Sequence, residues 1–307
     1  MENIENSIRE VAGKLLSEKK VDLIIGYEKG TLPLRTTPCF VDKIEDVKKL
    51  VWNASCDANF SKYVVGRKGK IGVVAKGCDA RLIAVCAIER QFPRENVIII
   101  GVPCLGVIDR KKIEAKLGDK EALEATVEDE QINVKGEDFE LVLPKKDFLC
   151  DSCLICKHRN PHIYDVFVGE KVPENTEAKE FAEVSDLEAK SPEERWKHFK
   201  EELSKCIRCY ACRNVCPLCY CKTCFLDQTM PAWFGKTNDL SDTLIYHLVR
   251  TFHVAGRCVD CGACSRACPM DINLRELVKK TEKIMKERYK YEAGVNLEEV
   301  PPLGEFK

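Results

Sequence analysis

The sequence carries almost no net charge and no long apolar run. Lysine and arginine number 49 against 50 aspartates and glutamates, a formal net charge of −1, and no basic stripe stands out. That excludes the electrostatic footprint of a nucleic-acid binder. The most apolar stretch, around residues 97–108, falls well short of the ~20 residues that span a bilayer. The opening "MENIENSIREVAGKLL" is charged and amphipathic without a continuous apolar core, so it does not read as a signal peptide and a cytoplasmic chain is expected. No G-x-G-x-x-G followed by an acid occurs, which leaves a Rossmann-type flavin or NAD site unsupported. No Ser/His/Asp set, carboxylate pair or P-loop can be assembled either. No catalytic residue is therefore assigned, and no substrate-transforming site of the chain's own is expected.

Cysteine is abundant: 19 in 307 residues. An odd number without an export signal argues against a disulfide framework. Two-residue spacings repeated in threes are poor disulfide geometry but wrap thiolates around a metal cluster. Cys206, Cys209, Cys212, Cys216 and Pro217 follow the C-x2-C-x2-C-x3-C-P run, and Cys258, Cys261, Cys264, Cys268 and Pro269 repeat it. In such pairs the fourth cysteine ligates the other cluster. Cluster one is thus assigned to Cys206, Cys209, Cys212 and Cys268, and cluster two to Cys258, Cys261, Cys264 and Cys216. Paired zinc sites, giving a zinc-stabilised scaffold, are the competing reading.

A chain of this length suggests two domains. Residues 1–168 read as α/β. "IGVVA", "KGCD", "ARLIAVCAIERQF" and "NVIIIGVPC" give strand, turn, helix, strand: a parallel βαβ unit. A helix is expected through Ile44, Val47, Leu50 and Val51, and helix-like sequence over 109–149 ends in the strand "FELVL". Ligands gather beyond the C-terminal ends of parallel strands, where Cys78 and Cys104 fall. With Cys150, Cys153 and Cys156 they are candidates for a third centre; a zinc site or free thiols is the alternative. Gly77 and the helix beginning near Asp79 offer a phosphate or flavin a helix N-terminus, unless the turn only joins strand to helix. Residues 169–190 read as a linker.

Residues 191–290 read as a helical two-cluster domain, with 291–307 as a tail. Ser191, Glu194 and Pro192 form a helix start. A second helix is expected to turn Leu244, Ile245, Leu248, Val249 and Phe252 inward and to end at Gly256. Asn273 with Glu276 is expected to start the last helix. His247, His253, Arg250 and Arg257 either tune a cluster or simply cap and solvate a helix. Cys219, Cys221 and Cys224 are surplus to the duplicated motif. They are expected to help hold an additional metal centre, with a ligand shared from the 150–156 triplet or a free N-terminal cysteine.

Residues 196–285, through "CIRCYACRNVCPLCYC" and "HLVRTFHVAGRCVDCGACSRACP", resemble the helical two-cluster ferredoxin domains of hydrogenase, sulfite reductase and heterodisulfide reductase iron–sulfur subunits. Residues 64–168, through "KGCDARLIAV", "IIIGVPCLGVI" and "CDSCLICKHRNPHIYDVFVG", resemble the beta subunits of deazaflavin-dependent hydrogenases and formate dehydrogenases. That resemblance implies an iron–sulfur electron-transfer subunit of an anaerobic redox complex, with other redox subunits as partners. It also implies FAD, and with it the alternative of a flavin-containing subunit that acts on a deazaflavin or nicotinamide coenzyme.

Overall fold

The computed structural model describes residues 2–128 and 130–304; Met1 and the last three residues of the expected tail lie outside them. The chain divides into two units, Met1–Ala178 and Lys179–Lys307.

In the first unit, strands β1 (Leu23–Lys29), β2 (Thr36–Val41), β3 (Ile71–Ala75) and β4 (Val97–Gly101) build one sheet. Strands β5 (Glu124–Val127), β6 (Gln131–Lys135) and β7 (Glu140–Pro144) form a separate antiparallel sheet, and β8 (Val166–Phe167) returns to the first. The first sheet has the order β2-β1-β3-β4-β8, with only the β1–β2 pair antiparallel. Every residue of β3 is buried. This is the near-continuous apolar profile of a strand covered on both faces.

The helices of this unit are α1 (Glu2–Ser17), α2 (Ser61–Val64), α3 (Gly77–Ile88), α4 (Arg110–Leu117) and α5 (Asp151–Leu154). The expected βαβ unit is β3-α3-β4, and Ile71 pairs with Val97 in parallel register. Two expectations need correction. Residues Ile44–Lys49 form a 3-10 helix, which ends as Val51 N–H turns to the Tyr27 carbonyl. The segment after α4 is strand, not helix: Ile132, Val134 and Leu143 alternate into a small core with Ile113 and Leu117, while Gln131 and Lys135 face out.

The second unit is helical: α6 (Ala182–Glu188), α7 (Pro192–Ser204), α8 (Ala211–Val215), α9 (Leu240–Val254), α10 (Ala263–Arg266) and α11 (Arg275–Tyr289). Helix α7 begins with the full capping box, Ser191 Oγ accepting from Glu194 N–H at 3.2 Å and Glu194 accepting from Ser191 N–H at 2.8 Å. The start of α11 differs from expectation. Leu274 precedes the helix without a side-chain cap, because Glu276 lies 2.7 Å from His198 Nε2 instead.

The 169–190 segment is more structured than a linker. Glu174 accepts from Arg159 N–H at 2.6 Å and from Asn160 Nδ2 at 2.7 Å, which holds its portion to the first unit. Helix α6 is held to α11 by Glu188, which pairs with Lys280 and Lys283. The expected tail also contributes to packing, since Tyr291 and Ala293 are buried.

Candidate metal centres

The two cysteine loops of the second unit repeat in conformation as well as in sequence. Arg208 (φ 52°) and Tyr210 (φ 59°) are left-handed in the first, and Asp260 (φ 54°) and Gly262 (φ 71°) occupy the same positions in the second. Arg208 N–H points to Cys206 Sγ at 3.4 Å, and Asp260 N–H points to Cys258 Sγ at the same 3.4 Å. Left-handed residues reverse the local chain direction and turn backbone N–H groups toward the loop's interior. Three of the four are not glycine, and each costs about 1–3 kcal/mol of backbone strain. Short helices α8 and α10 then carry the chain to Cys216 and Cys268.

Electrostatic neighbours link the loops crosswise. Burial pushes the Cys206 thiol up, with Cys268 and Cys209 adding to the shift. Burial likewise raises Cys261 to about 12, with Cys216 and Cys264 among its neighbours. Buried thiols resist ionisation until a metal takes the proton's place.

Helix α9 presents a polar face to the first loop. His247 Nε2 lies 3.3 Å from Cys206 Sγ and Tyr246 Oη lies 3.2 Å from Cys212 Sγ. Burial, then Arg250 and Arg208, lower His247 to about 4, which favours a neutral imidazole there; its Nε2–H tautomer would donate to the sulfur. Arg250 Nη2 donates to the Cys212 carbonyl at 3.2 Å. The expected orientation of α9 is therefore corrected: Tyr246, His247 and Arg250 are buried, while Ile245, Leu248 and Phe252 are exposed. The polar residues turn inward because the sulfurs there need donors. Apolar side chains enclose the site, with Leu203, Leu226, Ile272 and Leu274 packed around Cys212 and Cys268.

The second loop is anchored from behind. Asp260 accepts from Arg275 Nε and Nη2, both at 2.7 Å, and Lys279 Nζ lies 3.2 Å away. Arg208 anchors the first loop, its Nη1 donating to the Gly235 and Thr237 carbonyls at 2.9 and 3.0 Å.

In the first unit, β3 and β4 deliver Cys78 and Cys104 as expected. Cys104 N–H donates to the Arg159 carbonyl at 2.8 Å, and Val107 N–H points to Cys153 Sγ at 3.4 Å. Burial raises the Cys104 thiol to about 12, with Cys153 and Cys156 adding to it and Lys76 opposing. Cys150 is buried at the start of α5. Lys76 is an unforeseen member of this neighbourhood. Its Nζ lies 2.8 Å from Asp79 Oδ2, donates to Tyr27 Oη and to the Ala58 carbonyl (3.1 Å), and sits 4.7 Å from the Tyr27 ring centroid. Burial opposes its charge, but Asp79, Tyr27, Cys78 and Cys104 outweigh burial and hold its pKa well above that of a free lysine.

The phosphate cradle expected at Gly77 and Asp79 is not open. A Cβ on Gly77 would stand 2.1 Å from the His158 carbonyl oxygen, so glycine is needed there for close packing of the 156–162 loop. The buried Asp79 carboxylate accepts from Lys76 N–H at 3.0 Å and Asn59 Nδ2 at 2.7 Å, capping α3 from within.

The buried N–H and O–H donors beside the thiols suit the sulfurs of an iron–sulfur cluster.

Comparison with known proteins agrees with this chemistry. A family model described as a 4Fe-4S dicluster domain matches residues 205–273. The chain is 26% identical to the F420-dependent formate dehydrogenase subunit beta of Methanocaldococcus jannaschii, over 94% of this chain and 91% of that one. It is 25% identical to the F420-dependent formate dehydrogenase 1 subunit beta of Methanococcus maripaludis, over 94% and 90%. A chain of the F420-reducing [NiFe] hydrogenase complex from Methanosarcina barkeri aligns over 67% of this chain and 90% of that chain, with a TM-score of 0.41 and 14% identity.

Proposed function

We propose, from a chain homologous to F420-dependent formate dehydrogenase beta subunits and bearing a 4Fe-4S dicluster domain, that it is the iron–sulfur electron-transfer subunit of such a redox complex. The observation that carries the reading is the pair of thiol loops with matching left-handed positions, each with a left-handed residue donating its N–H to the loop's first cysteine at 3.4 Å. An iron–sulfur cluster takes up and gives up one electron at a time, at a potential set by its surroundings.

The residues divide the work. Cys206, Cys209, Cys212 and Cys268 hold one cluster, and Cys258, Cys261, Cys264 and Cys216 hold the other. His247 and Tyr246 donate to sulfurs of the first set, Arg250 adds positive charge beside both, and the apolar packing around Cys212 and Cys268 limits water. In the first unit, Cys150, Cys153 and Cys156, with Cys104 or Cys78 as the fourth ligand, hold a third centre beside the cation of Lys76. The partners are the other redox subunits of a cytoplasmic complex. No described helix is long and apolar enough to cross a membrane.

The relatives' dependence on F420 favours a second reading, in which a flavin also binds the first unit. Residues other than Gly77 and Asp79 would hold it, since those two are occupied by packing and capping.

Anaerobic purification with iron, sulfide, zinc and flavin quantified, followed by EPR of the reduced protein, tests both. The relay requires at least about eight irons per chain from the duplicated thiols. Fewer in fully metallated protein overturns it, and one flavin per chain released on denaturation establishes the second reading.

A further inference from the structure

In the second unit, three thiols remain after the duplicated motif has used its eight. Cys219, Cys221 and Cys224 follow one another within six residues and line a single cavity of about 530 Å³ in the second unit. The same lining includes Arg213, Arg250 and Arg257. Arg213 Nη1 is engaged by Asp227 at 3.0 Å, and Arg257 Nη2 by Tyr220 Oη. Arg250 is different. It is 5% exposed, its Nη2 donates to the Cys212 carbonyl, and its Nε–H has no hydrogen-bond partner among the described residues.

Arg250 lines this cavity and has Cys264, Cys216, Cys212 and Cys219 as its charge neighbours, so an anionic or sulfur-rich group beside it offsets the hydration its buried donors give up. Guanidinium has only donors to offer and makes its strongest hydrogen bonds to anionic acceptors. The neighbouring thiols narrow the class. Thiolates select soft metals and iron–sulfur clusters.

We infer that this cavity holds a further iron–sulfur centre, ligated by Cys219, Cys221 and Cys224 and facing the Arg250 guanidinium. Three protein thiolates leave one iron corner open toward the cationic wall, where a small carboxylate or other anion fits as the exogenous ligand. The inference rests on the proposed two-cluster reading, which removes the other eight thiols from consideration.

The test uses the full chain, purified anaerobically and reconstituted with ferrous iron and sulfide. Cys221→Ser with Cys224→Ser lowers the iron content by about four per chain while the EPR signals of the duplicated-motif clusters persist. Unchanged iron, or zinc bound at the triplet, overturns the inference. A second measurement needs no variant. Cys221 is exposed in the structure, so iodoacetamide labels it at once unless a cluster holds it. Mapping of labelled peptides is expected to find Cys221 and Cys224 protected in metallated wild-type protein and labelled after the iron is stripped. Prompt labelling of Cys221 in metallated protein overturns the inference even if the double variant fails to fold. The same map separates the two readings. Labelling at Cys206 or Cys258 marks failure of the two-cluster reading, whereas the triplet peptide alone decides the further centre.

Discussion

The Asp260 carboxylate accepts one hydrogen bond on each oxygen from the Arg275 guanidinium, both at 2.7 Å, with both residues largely buried. Asp260 is also one of the left-handed residues that shape the second thiol loop. One residue thus sets the loop's backbone and ties it to α11.

Removing one member of a buried pair leaves the other charge uncompensated, at a cost of about 3–5 kcal/mol. Asp260→Ala is expected to lose that much in denaturant unfolding of the metallated protein. Asp260→Asn keeps a residue tolerant of left-handed backbone and one acceptor, so it should lose less. Equal losses in the two variants, or a loss under about 1 kcal/mol, would refute a role for the ion pair.

His247 and Tyr246 make separate contacts to sulfurs of the proposed first cluster. A donor to sulfur stabilises the reduced, more negative state, so its removal lowers the potential. A net hydrogen bond of about 0.5–1.5 kcal/mol corresponds to roughly 20–65 mV for one electron. His247→Leu and Tyr246→Phe should each shift one EPR-monitored midpoint down by that order and leave the other cluster's midpoint in place. A shift of both midpoints together would instead indicate a general loss of packing.

Iron removal should act unequally on the two units. Arg208, Tyr210 and Asp260 hold left-handed backbone without glycine, and ligation is what offsets such strain in metal-coupled folding. Chelation is expected to speed amide exchange through α8, α10 and the thiol loops, while β3 and β4, buried in the parallel sheet, stay protected. Uniform loss of protection across both units would contradict this.

The sequence was most legible where one physical requirement dominates. β3-α3-β4 could be read because strands covered on both faces must be apolar throughout, and the duplicated loops because four thiolates need fixed spacings. The left-handed turns were hidden because Arg208, Tyr210 and Asp260 carry no signal like that of Gly262. Helix α9 misled for the opposite reason: its apolar stripe of Ile245, Leu248 and Phe252 is exposed, and its polar face is buried against the cysteines. Lys76 was invisible because Tyr27 lies 49 residues away in the chain. Sequence patterns report apolar burial well, and report poorly the polar groups that only a folded site brings together.

Helix α6 gives a pH-dependent attachment with a definite sign. Glu188 pairs with Lys280 and Lys283, and hydrogen bonds from those lysines lower its carboxyl to about 2. Glu180, between Lys279 at 3.3 Å and Lys286 at 3.0 Å, is also lowered, since the lysines outweigh the effect of burial. Carboxylates with depressed folded pKa values contribute stability that is full above their unfolded value, about 4.3, and is lost as pH falls through the folded value. Hydrogen exchange in α6 should therefore accelerate, relative to β3, between roughly pH 4 and pH 2, after correction for the intrinsic rate. Glu188→Gln should show the faster α6 exchange already at neutral pH and lose most of the acid dependence. The effect should be modest, because Glu188 is about one-third exposed and solvent screens such pairs. An α6 exchange rate that tracks β3 at every pH would show that these ion pairs do not hold the helix.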